Sequence, residues 1–200
     1  MRSINFNDVE ASTEGGSYQQ LPAGAYVCAI TAMEDVAERE YVRMTIDIVQ
    51  GEYANYFSDK FYADKPWSHS IVLSYKDPAL PMLKGRLQTI TQSNPGFDSE
   101  AAWNAGTLHM FVGKALGVVF RAEEYLDKKT GEFKIGSPRP DRLCLIADMA
   151  DPKNADPLPK MLKDEAKRRM LKEAGFSPVI DKAGAVSQGA PDLYTKDVPF

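Results

Sequence analysis

Two stretches near the start of the chain have the hydrophobic pattern of β-strands. Residues 25–33 are rich in strand-forming side chains and follow a proline and a glycine, which are typical of a strand boundary. Residues 41–49 alternate between apolar and polar side chains, and the apolar face carries Val42, Met44, Ile46 and Ile48. The acidic residues 33–40 between them predict a hairpin connection. An aromatic-rich third strand region follows over residues 60–75.

The hydrophobic period changes from two to that of a helix after Asp77 and Pro78. Apolar side chains recur at helical spacing at Leu80, Leu83, Leu87 and Ile90. Asn94, Pro95 and Gly96 predict the end of this helix, and a loop containing Phe97 and Trp103 is expected next. Strands are predicted again over residues 116–122, 132–135 and 143–147, with a hairpin turn at residues 128–132.

A second helix is predicted over residues 156–174, begun by Asp156 with Pro157 and ended by Gly175. One of its faces is apolar at intervals of four residues, and the other face is strongly basic. Such a helix could dock on its parent domain, pair with another subunit or contact phosphates. Docking on the parent domain is the interpretation that we favour.

This order of elements predicts an α+β protein that is mainly β. Three strands, a helix and further strands are the order of an OB-fold, a five-stranded Greek-key barrel, although a split α+β sheet would give the same string. We expect residues 1–150 to form this OB-fold-like, nucleic-acid-binding domain and residues 151–175 to form a linker and an amphipathic helix. Residues 176–200 are mostly Gly, Ala, Ser, Pro and Gln, which predicts a flexible tail.

Composition restricts the class of protein. With 44% hydrophobic and 10% aromatic residues, the 200-residue chain can bury a substantial core. No apolar run approaches about 18 residues and no secretory leader is visible, so we expect a cytoplasmic protein without a membrane span. The isolated residues Cys28, Cys144, His69 and His109 predict neither a disulfide nor a metal site. Nucleotide-binding and hydrolase motifs are missing from the sequence, so we expect no cofactor and no enzymatic activity.

The net charge of −4 opposes non-specific binding of nucleic acid. An acidic protein can still bind single strands if it concentrates its cations on one face and stacks bases on aromatic rings. Four cationic residues, placed close together in the second half of the predicted barrel, are candidates for phosphate contacts: Arg121, Lys134, Arg139 and Arg142.

Aromatic and basic residues also alternate in the first half of the barrel. Tyr41 and Arg43 lie on the polar face of the second predicted strand. Residues 60–67 interleave rings and cations as a finger over DNA would, with the candidates Lys60, Phe61, Tyr62, Lys65 and Trp67. Packing in the core or against a loop explains Phe61 and Trp67 at least as well. The rings at Tyr53, Tyr56 and Phe57 could equally cap the end of the barrel.

The last four residues, Asp197, Val198, Pro199 and Phe200, form an acidic and apolar tip after the predicted tail. This ending resembles the C-terminal tail of single-stranded-DNA-binding proteins, although Lys196 interrupts the acids that usually precede Pro-Phe. Residues 51–57, 93–97 and 113–120 are similar to segments of phage and mobile-element proteins of that class.

The resemblance implies single-stranded DNA as ligand, a role in replication, recombination or repair in a bacterial cytoplasm or nucleoid, and recruitment of replication or repair proteins through the tip. Self-association is also compatible with it. The alternative is an OB-like protein-interaction module that does not bind DNA, with the tip no more than a frayed terminus.

Overall fold

Antiparallel strands dominate the computed structural model, which describes residues 20–62, 64–176, 178–180 and 186–188. Within these residues the strands are β1 Gly24–Val36, β2 Tyr41–Ile48, β3 Ser70–Ser74, β4 Ala115–Arg121, β5 Glu124–Leu126, β6 Phe133–Ile135, β7 Arg139–Cys144, β8 Pro178–Ile180 and β9 Val186–Gln188. The α-helices of the same residues are α1 Leu80–Ser93, α2 Ser99–Asn104, α3 Pro152–Ala155 and α4 Asp164–Glu173. The chain is therefore a mixed α+β protein, as its hydrophobic pattern predicts.

Five strands form one antiparallel sheet in the order β3-β2-β1-β4-β7. The long strand β1 lies at the centre and pairs with β2 on one side and β4 on the other. A register shift between Ile30 and Ala32 bends β1. The outer strands β3 and β7 approach each other, so the sheet curls into a nearly closed barrel. This arrangement is compatible with an OB-like barrel.

The apolar face of β2 fills the barrel, as the alternation predicts. Val42, Met44, Ile46 and Ile48 are all buried. Asp47 departs from the alternation, because it lies on the predicted polar face and is nevertheless buried. Its carboxylate accepts hydrogen bonds from the backbone N–H groups of Ile48 and Phe57 and from the Ser58 hydroxyl. This buried carboxylate therefore fixes the chain that leaves β2.

Helix α1 packs Leu83, Leu87 and Ile90 of its predicted apolar face into the barrel, whereas the fourth residue of that face, Leu80, is exposed. The helix ends at Asn94, as predicted, and that side chain has a second function. Its amide donates to the Ala115 carbonyl at 2.7 Å and accepts from the Ala115 N–H at 3.0 Å. The end of α1 is thereby joined to the start of β4.

Four local predictions are wrong. The strand predicted over residues 143–147 is Arg139–Cys144, and Ile146–Asp148 forms a 3-10 turn instead, because the pairing with β4 begins at Arg139 and ends at Cys144. Residues 60–69 form two 3-10 turns, Lys60–Tyr62 and Pro66–Ser68, and only Ser70–Ser74 is a strand. Trp103 lies in helix α2 and not in a loop, because the Asp98 side chain caps the Ala101 N–H. The last predicted helix begins at Asp164, eight residues later than expected. The preceding segment pairs with the barrel instead, through backbone hydrogen bonds between Lys160 and the residues Ala122 and Glu124.

A second, smaller core lies beside the barrel. The hairpin β5–β6, whose turn at residues 128–132 was predicted, packs against α4 around the buried side chains Leu126 and Leu171. Glu124 and Lys167 form an ion pair of 2.8 Å across this contact, with only 7% and 14% of their side chains exposed. Helix α4 therefore docks on its own domain. Strands β8 and β9 also contact α4 and fall within the segment predicted as a tail.

Candidate nucleic-acid interface

One end of the barrel gathers the starts of β1, β3 and β7 and the ends of β2 and β4; we call it the loop end. An aromatic group covers this end. Phe57 stacks on Phe120 with centroids 5.6 Å apart and on His69 at 5.1 Å. Tyr56 makes an edge-to-face contact with Phe57, and Tyr53 makes an edge-to-face contact with Tyr56. Of the two interpretations of these rings left open by the sequence, the structure therefore agrees with the cap on the barrel.

A cleft of about 350 Å³ opens beside this aromatic cap; we call it the first cleft. Its walls include Phe61, Tyr62 and Trp67 from the loop before β3, and Pro138 and Arg139 from the start of β7. These walls are about seventy positions apart in the sequence, and the antiparallel sheet places both at the loop end. The first cleft thus unites four of the predicted site residues.

The three aromatic rings that the loop before β3 contributes to the first cleft differ in exposure. Trp67 is 58% exposed and Phe61 is 51% exposed, whereas only 8% of Tyr62 is accessible. Tyr62 packs against Phe57 at 5.0 Å and belongs to the cap, so little of its ring is available to a ligand. A large exposed ring leaves apolar surface in contact with water, which is unfavourable. Such rings are frequent at binding surfaces.

Two cations accompany these rings. The Lys65 ammonium lies 3.1 Å from the Phe61 ring centroid and donates to the Phe61 carbonyl oxygen at 2.9 Å. One face of that ring is therefore already covered by a charge. The exposed Arg139 has no carboxylate within 4 Å among the described residues. Its charge remains available to an anionic ligand. The side chain of the predicted contact Lys60 lies outside the described part of the structure.

Tyr41 and Arg43 lie away from the loop end. They occupy the start of β2, opposite Ser74 and Val72 near the end of β3. Arg43 is paired with Glu34 of β1 at 3.0 Å. The hydrogen bond to Tyr41, together with the charge of Glu34, raises the pKa of the Arg43 guanidinium. The structure does not bring these two residues to the first cleft.

The remaining predicted cations make contacts within the protein. Arg142 donates to the Lys153 carbonyl at 2.6 Å and to the Asn154 side chain at 3.0 Å, and thereby attaches α3 to β7. Arg121 lies 3.6 Å from Asp141. Both side chains border a separate depression under residues 153–159. The donors of Arg142 already have partners, which reduces its capacity to bind phosphate. Arg121 makes only the longer ion pair, and its buried Nε has no hydrogen-bond partner among the described residues.

Lys134 belongs to the β5–β6 hairpin, where its ammonium contacts Asp127 at 2.6 Å. This hydrogen bond lowers the pKa of Asp127 to about 2 and raises the pKa of Lys134. Lys134 pairs across the hairpin with Tyr125, which is 45% exposed. The cation therefore lies beside an exposed ring, although its charge is locally balanced.

A second cleft of about 300 Å³ adjoins the first and shares Ser137 and Arg139 with it. Its other walls are Glu123, Tyr125 and Gly136. Sequence reasoning missed Glu123 and Tyr125, because the short strand β5 was not predicted separately from β4. The hairpin turn at residues 128–132 was the available signal, since its second strand required a partner.

Across the described ranges, no three His, Cys, Asp or Glu side chains are grouped so as to hold a metal ion. His69 is half-buried, and burial lowers its pKa; its nearest hydroxyl is Ser68, with Oγ 3.0 Å from Nδ1. None of the helices in those ranges is long and apolar enough to span a bilayer.

No protein-family model matches the chain, and no curated protein is similar to it. The tip residues Asp197, Val198, Pro199 and Phe200 lie outside the described residues. The two clefts at the loop end are therefore the candidate site.

Proposed function

We propose that the protein is a non-catalytic single-stranded-DNA-binding protein built on an OB-fold-like Greek-key barrel. The observation that carries the proposal is the first cleft, where the exposed Trp67 faces the same space as Arg139. A ring and a cation around one cleft offer a base its stacking partner and a phosphate its counter-charge. In a small barrel of this kind, nucleic acid commonly binds across the strands and loops near one end.

Selection for single strands follows from the shape of the site. A base stacked inside a duplex has neither face available, whereas a base in a single strand can lie on an exposed indole ring. Each stacked base contributes roughly 1–3 kcal/mol. Lys65 and Arg139 supply positive charge locally, which an acidic chain of net charge −4 requires.

In the cell, such a protein would protect or present strands during replication, recombination or repair. Recruitment of replication or repair proteins by the residues Asp197 to Phe200 remains part of this proposal. It has the support of the sequence resemblance alone.

A second candidate function has one specific observation in its favour. Helices α1 and α2 enclose a groove of about 510 Å³ lined by Leu80, Leu83, Leu87 and Trp103. Leu80 is 44% exposed there. An apolar groove between helices is a common site for a protein segment. A protein-interaction module that does not bind DNA would use this groove.

Tryptophan fluorescence distinguishes the two candidates, because the chain has only two tryptophans and one lies at each site. In a Trp103→Phe variant, Trp67 alone reports. We expect a thymidine oligonucleotide to quench this emission, and the matched duplex to have little effect at the same concentration. In the reciprocal Trp67→Phe variant, emission from Trp103 should not respond. Unchanged Trp67 emission with single strands, at low salt, would refute the proposal.

A further inference from the structure

The second cleft has the components of a site for one planar ligand. The exposed Tyr125 ring forms one wall, and Gly136 lies close to that ring. A Cβ atom added to Gly136 would lie 3.5 Å from Cδ1 of Tyr125 and 3.4 Å from the Glu123 carbonyl oxygen. The absence of a side chain at Gly136 therefore keeps the space beside the ring open. A volume of about 300 Å³ is at the lower end of the range for ligand sites.

Two opposite charges, Glu123 and Arg139, line this cleft and do not form an ion pair with each other. The Glu123 carboxylate is held by Lys160, with Oε1 2.6 Å from the ammonium nitrogen. Its other oxygen, Oε2, has no hydrogen-bond donor in the described ranges. Arg139 lines the same cleft, yet it is more than 4 Å from any carboxylate there. A ligand that bridges these two groups must donate hydrogen bonds to Glu123 and accept them from Arg139.

We infer that the second cleft binds a guanine base of a single strand whose neighbouring base stacks on Trp67. Guanine has two adjacent donors, N1–H and the N2 amino group, which match the two oxygens of a carboxylate. Its O6 and N7 atoms are acceptors and form the commonest specific pair with arginine. The other bases match less well, because adenine and cytosine offer one amino donor and thymine offers one ring N–H.

The two clefts share a wall, and for this reason we infer that the guanine is part of a strand and not a free base. Ser137 and Arg139 border both clefts, so consecutive nucleotides could occupy them with Arg139 between. Unpaired bases in single strands are commonly stacked on rings and read on their hydrogen-bonding edges in this way. The inference rests on the proposed function, since it assigns base specificity to the same surface. A free guanine nucleotide has the same base chemistry and must be compared directly.

Fluorescence anisotropy with two labelled probes tests the inference. One probe is an oligothymidine, and the other is the same strand with one central guanine. We expect the guanine to strengthen binding about tenfold, the discrimination typical of one bidentate base contact. Glu123→Gln should abolish this preference, since an amide cannot accept both donors; the readout is the ratio of the two affinities, because the removed negative charge acts on both probes alike. A matched control is Glu132→Gln on the same hairpin, which should retain the preference.

The outcomes separate the two proposals. Equal binding of the two probes by the unmodified protein overturns the guanine site and leaves single-strand binding intact. Failure to bind either probe removes both proposals. Loss of the preference in Glu132→Gln as well would also contradict the role of Glu123. Free guanosine monophosphate should compete only at much higher concentration than the strand; competition at equal concentration would overturn the strand site in favour of a nucleotide site.

Discussion

The number of phosphate contacts can be predicted from the ion pairs of the structure. Arg43, Arg121 and Arg142 are paired with carboxylates of the protein. Lys65, which lies over the Phe61 ring, and Arg139, which lines the first cleft, have no carboxylate within 4 Å among the described residues. Two phosphate contacts give a slope of log affinity against log salt of about −1.4, because single strands contribute about −0.7 per contact. A tenfold increase in salt should therefore weaken binding by about 25-fold.

Titration of an oligothymidine by fluorescence anisotropy across a salt series measures this slope. Arg139→Gln should reduce it to about −0.7, because one contact remains. Arg43→Gln is the matched control, since its charge is paired with Glu34 and lies away from the loop end. A slope steeper than about −2.5, or a slope that flattens in Arg43→Gln, would show that the paired arginines also contact phosphates and that our reasoning is wrong.

Three further predictions concern single side chains. Trp67→Ala should cost roughly 1–3 kcal/mol of single-strand affinity in anisotropy titrations, and its thermal midpoint should hardly change because the ring is 58% exposed. Lys167→Met should lower the free energy of unfolding by about 3–5 kcal/mol in urea melts, since it leaves the buried Glu124 carboxylate unpaired. Adding Glu124→Gln should recover much of that loss. The folded-state pKa of Asp127 is lowered, so its pairing stabilises the fold above the ordinary value of 3.8 and is lost as pH falls through about 2. Carboxyl NMR should give this midpoint, and Lys134→Gln should raise it.

The regular strands and helices could be predicted from the sequence because the spacing of their apolar residues is set by the local backbone geometry. The alternation in β2 and the helical spacing of α1 identify most of the buried faces, with Asp47 and Leu80 as the exceptions. Residues 60–69 have the aromatic content of a strand, and nothing in their local sequence signals that the Asp47 carboxylate anchors the chain just before them. Likewise, the pairing of Lys160 with Ala122 is a long-range contact that overrides a local helix signal.

The sequence suggests which kinds of residue form the candidate site. It does not show which of these residues lie together in the fold. The alternation of aromatic and basic residues singled out Phe61 and Trp67, and the structure exposes both at the first cleft. Which arginine joins them depends on strand order and on ion pairs. Arg139 and Arg142 are indistinguishable in sequence, yet only Arg142 is engaged by α3. Which side chains are available at a candidate site thus depends on tertiary contacts, and the order of residue types along the sequence does not show those contacts.

The small core between the β5–β6 hairpin and α4 has a kinetic consequence. Its buried side chains, Leu126 and Leu171, form a cluster distinct from the main core of the barrel. Separate cores open with separate free energies, and the smaller one opens more often. Amide hydrogens of β5 and β6 should therefore exchange faster than those of β1 and β4. Since the hairpin carries Tyr125, opening of the small core would move one wall of the second cleft while the barrel remains folded. The residence time of a strand bound as we propose would then be set by the lifetime of this small core.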